Sequence, residues 1–141
     1  MQAHIYIEVD SATLKETDKR YAYVLAVEDK IQTAAGTGTL KGTYNRAVLT
    51  AIAHAVSRFS HPYEVHIHCK NTIAANMLQN LKKWAGEGFL RKDGGPVANR
   101  AELEHIWEKA KGCTFMADPG SHSYQEWLRW EIDRKNKENS A

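Results

Sequence analysis

The change of hydrophobic period near residue 42 most constrains what this chain can fold into. Before it, apolar residues alternate or run in short blocks, as strands require; from Asn45 onward they recur at helical spacing. In a first strand over residues 5–9, Ile5, Ile7 and Val9 share one face, and Tyr6, Glu8 and Asp10 share the other. The block YAYVLAV (21–27) is a second strand, and the polar stretch 11–20 before it is long enough for a hairpin loop. Residues 31–40, starting at Ile31, are rich in Thr and Gly and predict a third strand near an edge or a bulge. Then 45–59 places Val48, Leu49, Ile52, Ala53, Val56 and Phe59 on one helical face, with Thr43 or Asn45 as N-cap and Pro62 beyond the end.

Three strands ahead of the first helix leave few arrangements. A fourth strand follows at 64–68 (EVHIH). A second amphipathic helix at 72–84 turns Ile73, Met77, Leu78 and Leu81 inward and stops at Gly86 and Gly88. Beyond a Gly-rich connector (85–99) come a third helix at 101–111, with Leu103, Ile106, Trp107 and Ala110 inward, and a fifth strand at 113–117. A final helix at 123–135 carries Trp127, Leu128 and Trp130. The order β-β-β-α-β-α-α-β-α predicts an α/β fold: a mixed five-stranded sheet, its three leading strands antiparallel, flanked by helices.

The 141 residues make one domain, expected over 1–134, with a polar, frayed tail over 135–141. With 43% hydrophobic and 26% charged residues, whole-chain disorder, collagen and coiled coil are excluded. Cys69 and Cys113 lie in no metal-binding spacing, so reduced thiols are expected. No signal-peptide pattern opens the chain and no apolar run reaches membrane-span length, which predicts a cytoplasmic protein without membrane contact.

The net charge of +2 decides nothing about partners, but its distribution does. Residues 80–100 hold Lys82, Lys83, Arg91, Lys92 and Arg100 against Glu87 and Asp93, interleaved with Trp84 and Phe89. Such a basic strip suits phosphate contacts, and its rings suit sugar or base contacts. Thr43, Asn45 and Asn71 are of the residue types that cap helices. His66 and His68 alternate on one strand face with His4 nearby; imidazoles suit Zn²⁺, but two at this spacing favour hydrogen-bonded sheet histidines. An exposed Trp130 would mark a partner surface.

Four blocks, taken in order and spacing, resemble ribonuclease H of the bacterial type over about residues 4–133. Residues 5–10 resemble the family's first strand, which ends in a catalytic Asp. GTYNRAVL (42–49) is similar to its TNNRMEL block, EVHIHCKN (64–71) to its fourth strand and the following helix start, and DGGPVAN (93–99) to the segment after its basic handle. The resemblance implies the fold already read from the order of elements. It also implies hydrolysis of RNA in RNA/DNA hybrids by two Mg²⁺ ions on four carboxylates, because hard cations take oxygen ligands.

Carried over residue by residue, one ligand of four is present. Asp10 fills the first place; Val48, Lys70 and Arg129 stand at the other three, the last counted from His122, and Pro119 stands where the family has a loop His. Two cations beside Asp10 imply that ion pairs have replaced metal, so no cofactor is expected. The implied function is nucleic-acid binding, to an RNA/DNA hybrid or another duplex, without cleavage, through Thr43, Asn45, Asn71, Lys82, Lys83, Trp84, Arg91 and Lys92. One alternative is an active Mg²⁺ or Mn²⁺ nuclease with relocated ligands, on Glu8 and Asp10 with Asp118, Glu126 or Asp133. Another is a protein-interaction module, as homo-oligomer or with a protein partner, that keeps only the scaffold.

Overall fold

The computed structural model describes residues 1–30, 32–120 and 122–140, excluding the side chains of 139 and 140. Ile31, the expected start of the third strand, lies outside them. Among the described residues five strands form one sheet: β1 (Gln2–Val9), β2 (Thr17–Val27), β3 (Ala34–Gly42), β4 (Glu64–His68) and β5 (Thr114–Asp118). Their order is β3-β2-β1-β4-β5. The first three are antiparallel, and β4 runs parallel to both β1 and β5, as the order of elements predicts. The helices are α1 (Tyr44–Val56), α2 (Thr72–Met77), α3 (Leu81–Gly86), α4 (Arg100–Lys109) and α5 (Gln125–Ser140). No helix among the described residues is long and apolar enough to cross a membrane.

Alternation in β1 assigns the two faces. Ala3, Ile5 and Ile7 join Val65, Ile67 and the α1 residues Val48, Leu49, Ile52 and Val56 in the main core. On the opposite face Leu128 and Ile132 of α5 close over Ala22 and Val24 in a smaller core. Strand β2 serves both, so its residues from Tyr21 to Leu25 are all buried; a strand covered on both faces reads as a continuous apolar run.

The Thr/Gly-rich β3 is an edge strand, and its glycines have a packing reason. Gly38 pairs with Tyr21 and Gly36 with Tyr23. The tyrosine rings lie across these positions: a Cβ on Gly36 would fall 2.7 Å from the Tyr23 ring. Tyr23 is fixed in turn by Arg58, whose Nε donates to its hydroxyl at 2.8 Å.

The β1–β2 loop is tied to the start of α1 by two devices. The Tyr44 amide donates to the Thr13 carbonyl at 3.1 Å. Lys19, 2% exposed, turns its ammonium inward and donates to the Lys15 carbonyl (2.9 Å), Thr17 Oγ1 (2.8 Å) and the Gly42 carbonyl (2.5 Å). Thr43 then caps α1, its Oγ1 accepting from the Arg46 amide at 3.2 Å.

Two helices depart from expectation. The single helix predicted over 72–84 is broken: α2 and α3 are joined by a 3₁₀ turn, Leu78–Asn80, and Asn80 sits at φ −99°, ψ 2°. In a 3₁₀ turn residues i and i+3 eclipse, which points both Leu78 and Leu81 into the core. Ile73, expected inward, is 63% exposed. In α5 the apolar stripe is Leu128 and Ile132, with Tyr124 just before the helix; Trp127 and Trp130 lie off that stripe and both face outward. Residues 135–140, read from sequence as a frayed tail, continue α5, braced by Arg134–Glu138 at 2.7 Å and Lys135–Glu138 at 3.6 Å.

Candidate functional site

The parallel pairing of β1 with β4 sets the geometry of the site. Tyr6 pairs with His68, so two residues further along each chain Glu8 and Lys70 emerge side by side at the same end of the sheet. Helix α5 crosses this end and brings Arg129, whose Nε lies 3.8 Å from Glu8 Oε2. Gln125, one turn earlier in α5, joins the group: with its amide oriented to satisfy both neighbours, Oε1 accepts from Arg129 Nη2 at 2.9 Å and from Lys70 Nζ at 3.0 Å. The Glu8 side chain is 11% exposed and that of Arg129 56%, so the carboxylate lies beneath and the cation above. Burial raises the Glu8 carboxyl, against the pull of Arg129 and then Lys70. Burial first, with the neighbouring Cys69 and the Glu8 carboxylate behind it, pushes the Tyr44 phenol up to about 12, and burial pushes the Cys69 thiol up to about 11. Both groups therefore stay neutral beside Glu8.

Asp10 is engaged elsewhere. Its Oδ1 accepts from the Arg20 amide at 3.0 Å and its Oδ2 from Asn136 Nδ2 at 3.3 Å. Asn136 Oδ1 accepts from Arg20 Nε at 2.8 Å. The β1 carboxylate that Lys70 and Arg129 gather around is thus Glu8, two residues from the position the motif alignment indicates. Val48 is fully buried in the main core. Glu126 and Asp133 are solvent-exposed, and Asp118 belongs to a separate cluster of imidazoles.

That cluster lies on the α5 side of the sheet, over β1, β4 and β5. His66 Nδ1 lies 3.1 Å from Asp118 Oδ2 and its Nε2 3.0 Å from Glu64 Oε2, while His4 Nδ1 and His68 Nε2 are 2.9 Å apart. The rings stack from His66 to His4 (4.9 Å), His4 to His68 (5.1 Å) and His68 to Tyr6 (4.3 Å). Burial pulls the His66 imidazole down, but the bonds to Glu64 and Asp118 outweigh it and leave His66 raised. Burial lowers both His68 and His122. Among the described residues no three His, Cys, Asp or Glu side chains are arranged to hold a metal ion.

The expected nucleic-acid contacts divide by their work. Asn71 is buried: its Oδ1 caps α2 through the Ala74 amide at 3.0 Å and its Nδ2 donates to Asn45 Oδ1 at 2.7 Å. The Asn45–Asn71 bond locks the starts of α1 and α2 together, beside the Thr43 cap. Lys82, Lys83, Arg91 and Lys92 are all exposed, and Trp84 is half-buried against the core. Arg91 and Lys92 ride on a tight loop closed by Arg91 N to Gly95 O at 2.7 Å and Val97 N to Phe89 O at 3.1 Å. Sequence reasoning missed Gln125, whose role needs the phase of α5, and the Arg20–Asn136 pair that holds Asp10; no short motif signals either.

No protein-family model matches the sequence, and no curated protein matches it. Solved structures do match its fold. The foamy viral protease-reverse transcriptase in complex with dsDNA is 17% identical with a TM-score of 0.62, over 94% of this chain and 88% of that one. The PFV RNase H domain is 14% identical with a TM-score of 0.61, over 94% and 89%. LC11-RNase H1 in complex with RNA/DNA hybrid is 15% identical with a TM-score of 0.56, over 94% and 98%. At these identities the likeness establishes architecture: the chain has the ribonuclease H-like fold.

Proposed function

We propose that this chain binds a nucleic-acid duplex, an RNA/DNA hybrid in the first instance, and does not cleave it. The observation that carries the reading is the composition of the group at the end of β1 and β4: one carboxylate, Glu8, with the two cations Lys70 and Arg129. A two-metal centre needs several anionic oxygens around each pair of ions. Here the donor set is one oxygen acid already paired to a guanidinium, with an ammonium alongside, and it does not fit a pair of Mg²⁺ ions. The affinity of a binder would come instead from phosphate contacts by Lys82, Lys83, Arg91 and Lys92, which face solvent, with Thr43 and Asn45 at the start of α1. Two of the matched structures carry dsDNA or RNA/DNA hybrid, which supports this class of partner.

The test is fluorescence anisotropy of an end-labelled RNA/DNA hybrid, titrated with protein in Mg²⁺ at low and moderate salt. A salt-sensitive rise that holds steady over hours is expected. Decay below the value of the free hybrid would show cleavage and refute the reading, and a flat trace at both salts would refute binding. A second reading, interaction with a protein partner or a second copy, is favoured by the outward Trp127 and Trp130, 44% and 57% exposed. Sedimentation velocity of the protein with and without Trp130→Ala tests it: a dimer lost in the variant supports it, and a monomer in both removes self-association.

A further inference from the structure

Lys70, Arg129, Gln125 and Glu8 form a layered group. The two cation heads share one neutral acceptor, Gln125 Oε1, so they are held close without being neutralised by it. The counter-charge, Glu8, lies below, with Arg129 Nε 3.8 Å from its Oε2 and Lys70 acting on it from further off. Lys70 is exposed, and most of the Arg129 side chain faces solvent. Two positive charges outward against one negative charge inward make the surface of this group attractive to an anion and repulsive to a divalent cation. A guanidinium beside an ammonium suits a tetrahedral phosphate, through fork-like donation and a point charge together.

We infer that Lys70 and Arg129 form a metal-free seat for one backbone phosphate of the bound nucleic acid, with Gln125 as the spacer between the cations and Glu8 as the fixed counter-charge beneath. The inference rests on the nucleic-acid reading and adds to it the place of one phosphate and the independence of binding from divalent metal. It also assigns opposite effects to two isosteric changes. Gln125→Glu puts a carboxylate between the cations and cancels the seat. Glu8→Gln removes the internal competitor and strengthens it. A purely structural role for this cluster gives no reason for a gain on losing Glu8.

Hybrid anisotropy in EDTA, compared with Mg²⁺ at matched ionic strength, is the direct experiment, with thermal melts confirming that each variant is folded. Binding undiminished in EDTA is expected. The Lys70→Ala/Arg129→Ala double variant and Gln125→Glu should bind at least about tenfold more weakly, and the double variant's log–log salt slope should fall by about one to two. Glu8→Gln should bind more tightly. If the wild type needs Mg²⁺, or if both weakening variants keep its affinity and slope, the seat is wrong while duplex binding stands. If the wild type does not bind the hybrid at all, the proposed function fails, and inorganic pyrophosphate, followed by NMR of the Arg129 Nε–H signal, decides the seat on its own. A saturating shift abolished by Gln125→Glu supports it; no shift overturns it.

Discussion

Replacing Lys19 by methionine isolates the junction that positions the start of α1. The side chain keeps an unbranched apolar stem, ends one atom shorter and loses the three hydrogen bonds that Nζ donates to the Lys15 carbonyl, Thr17 Oγ1 and the Gly42 carbonyl. The Gly42 carbonyl is buried, and leaving it without a donor costs about 1–3 kcal/mol. The other two acceptors are partly buried and regain water, at about 0.5–1.5 kcal/mol each. Relief of ammonium desolvation offsets part of this, so the expected loss is about 2–4 kcal/mol. For a domain of this size about 3 °C of Tm accompanies each kcal/mol, so Tm should fall by about 6–12 °C. Differential scanning calorimetry of Lys19→Met against wild type reads it directly. A Tm within about 2 °C of wild type would mean that the buried ammonium does not hold the loop to β3, and the account of this junction would fail.

Gly36→Ala should cost about 1–3 kcal/mol by forcing the buried Tyr23 ring off its seat, measured by urea unfolding; a neutral result would refute the cross-strand packing. The imidazoles predict opposing pH effects. His66 is raised in the folded state, so its contribution is full below its unfolded pKa and is lost as pH rises through the folded value; His68 and His122 are lowered, so theirs is present above the unfolded pKa and is lost as pH falls. His66→Asn should therefore lower Tm more at about pH 5.5 than at about pH 8.5, and a pH-independent difference would contradict the bonds to Glu64 and Asp118. Lys70→Asp with Arg129→Asp places two carboxylates beside Glu8, three in all, and should create Mn²⁺ binding visible by isothermal titration calorimetry; a folded double variant that ignores Mn²⁺ would mean these positions do not converge as described.

The order of elements was legible because period is a local property: β1 alternates, β2 runs apolar on both faces, and α1 repeats at helical spacing. The edge position of β3 was legible from its Thr and Gly content, though the tyrosines that make those glycines necessary are on another strand. What the sequence hid depends on phase and register. Motif order points to Asp10, but the register of β1 on β4 puts Glu8 beside Lys70, and a shift of two residues keeps the face while changing the partner. The outward turn of Trp127 depends likewise on phase: Leu128 and Ile132 take the stripe of α5 that faces the sheet, and local hydrophobicity does not say which of the neighbouring apolar residues wins that stripe. The inward Lys19 breaks the rule that lysines stay wet, and only the three oxygens assembled by β2, β3 and the preceding loop explain it.

The three-residue turn Leu78–Asn80 also works as a rotary coupling. An α-helix advances 100° per residue and a 3₁₀ turn 120°, so three residues in the tighter form turn everything downstream by about 60° more than an unbroken helix would, and carry it about 1.5 Å further along the axis. Lys82 and Lys83 take their bearing from that offset rather than from their spacing in sequence. The azimuth of the basic surface is thus set inside the apolar core, where Leu78 and Leu81 are seated. Lengthening or shortening the turn by one residue would swing both lysines by about a third of a revolution with their charges untouched.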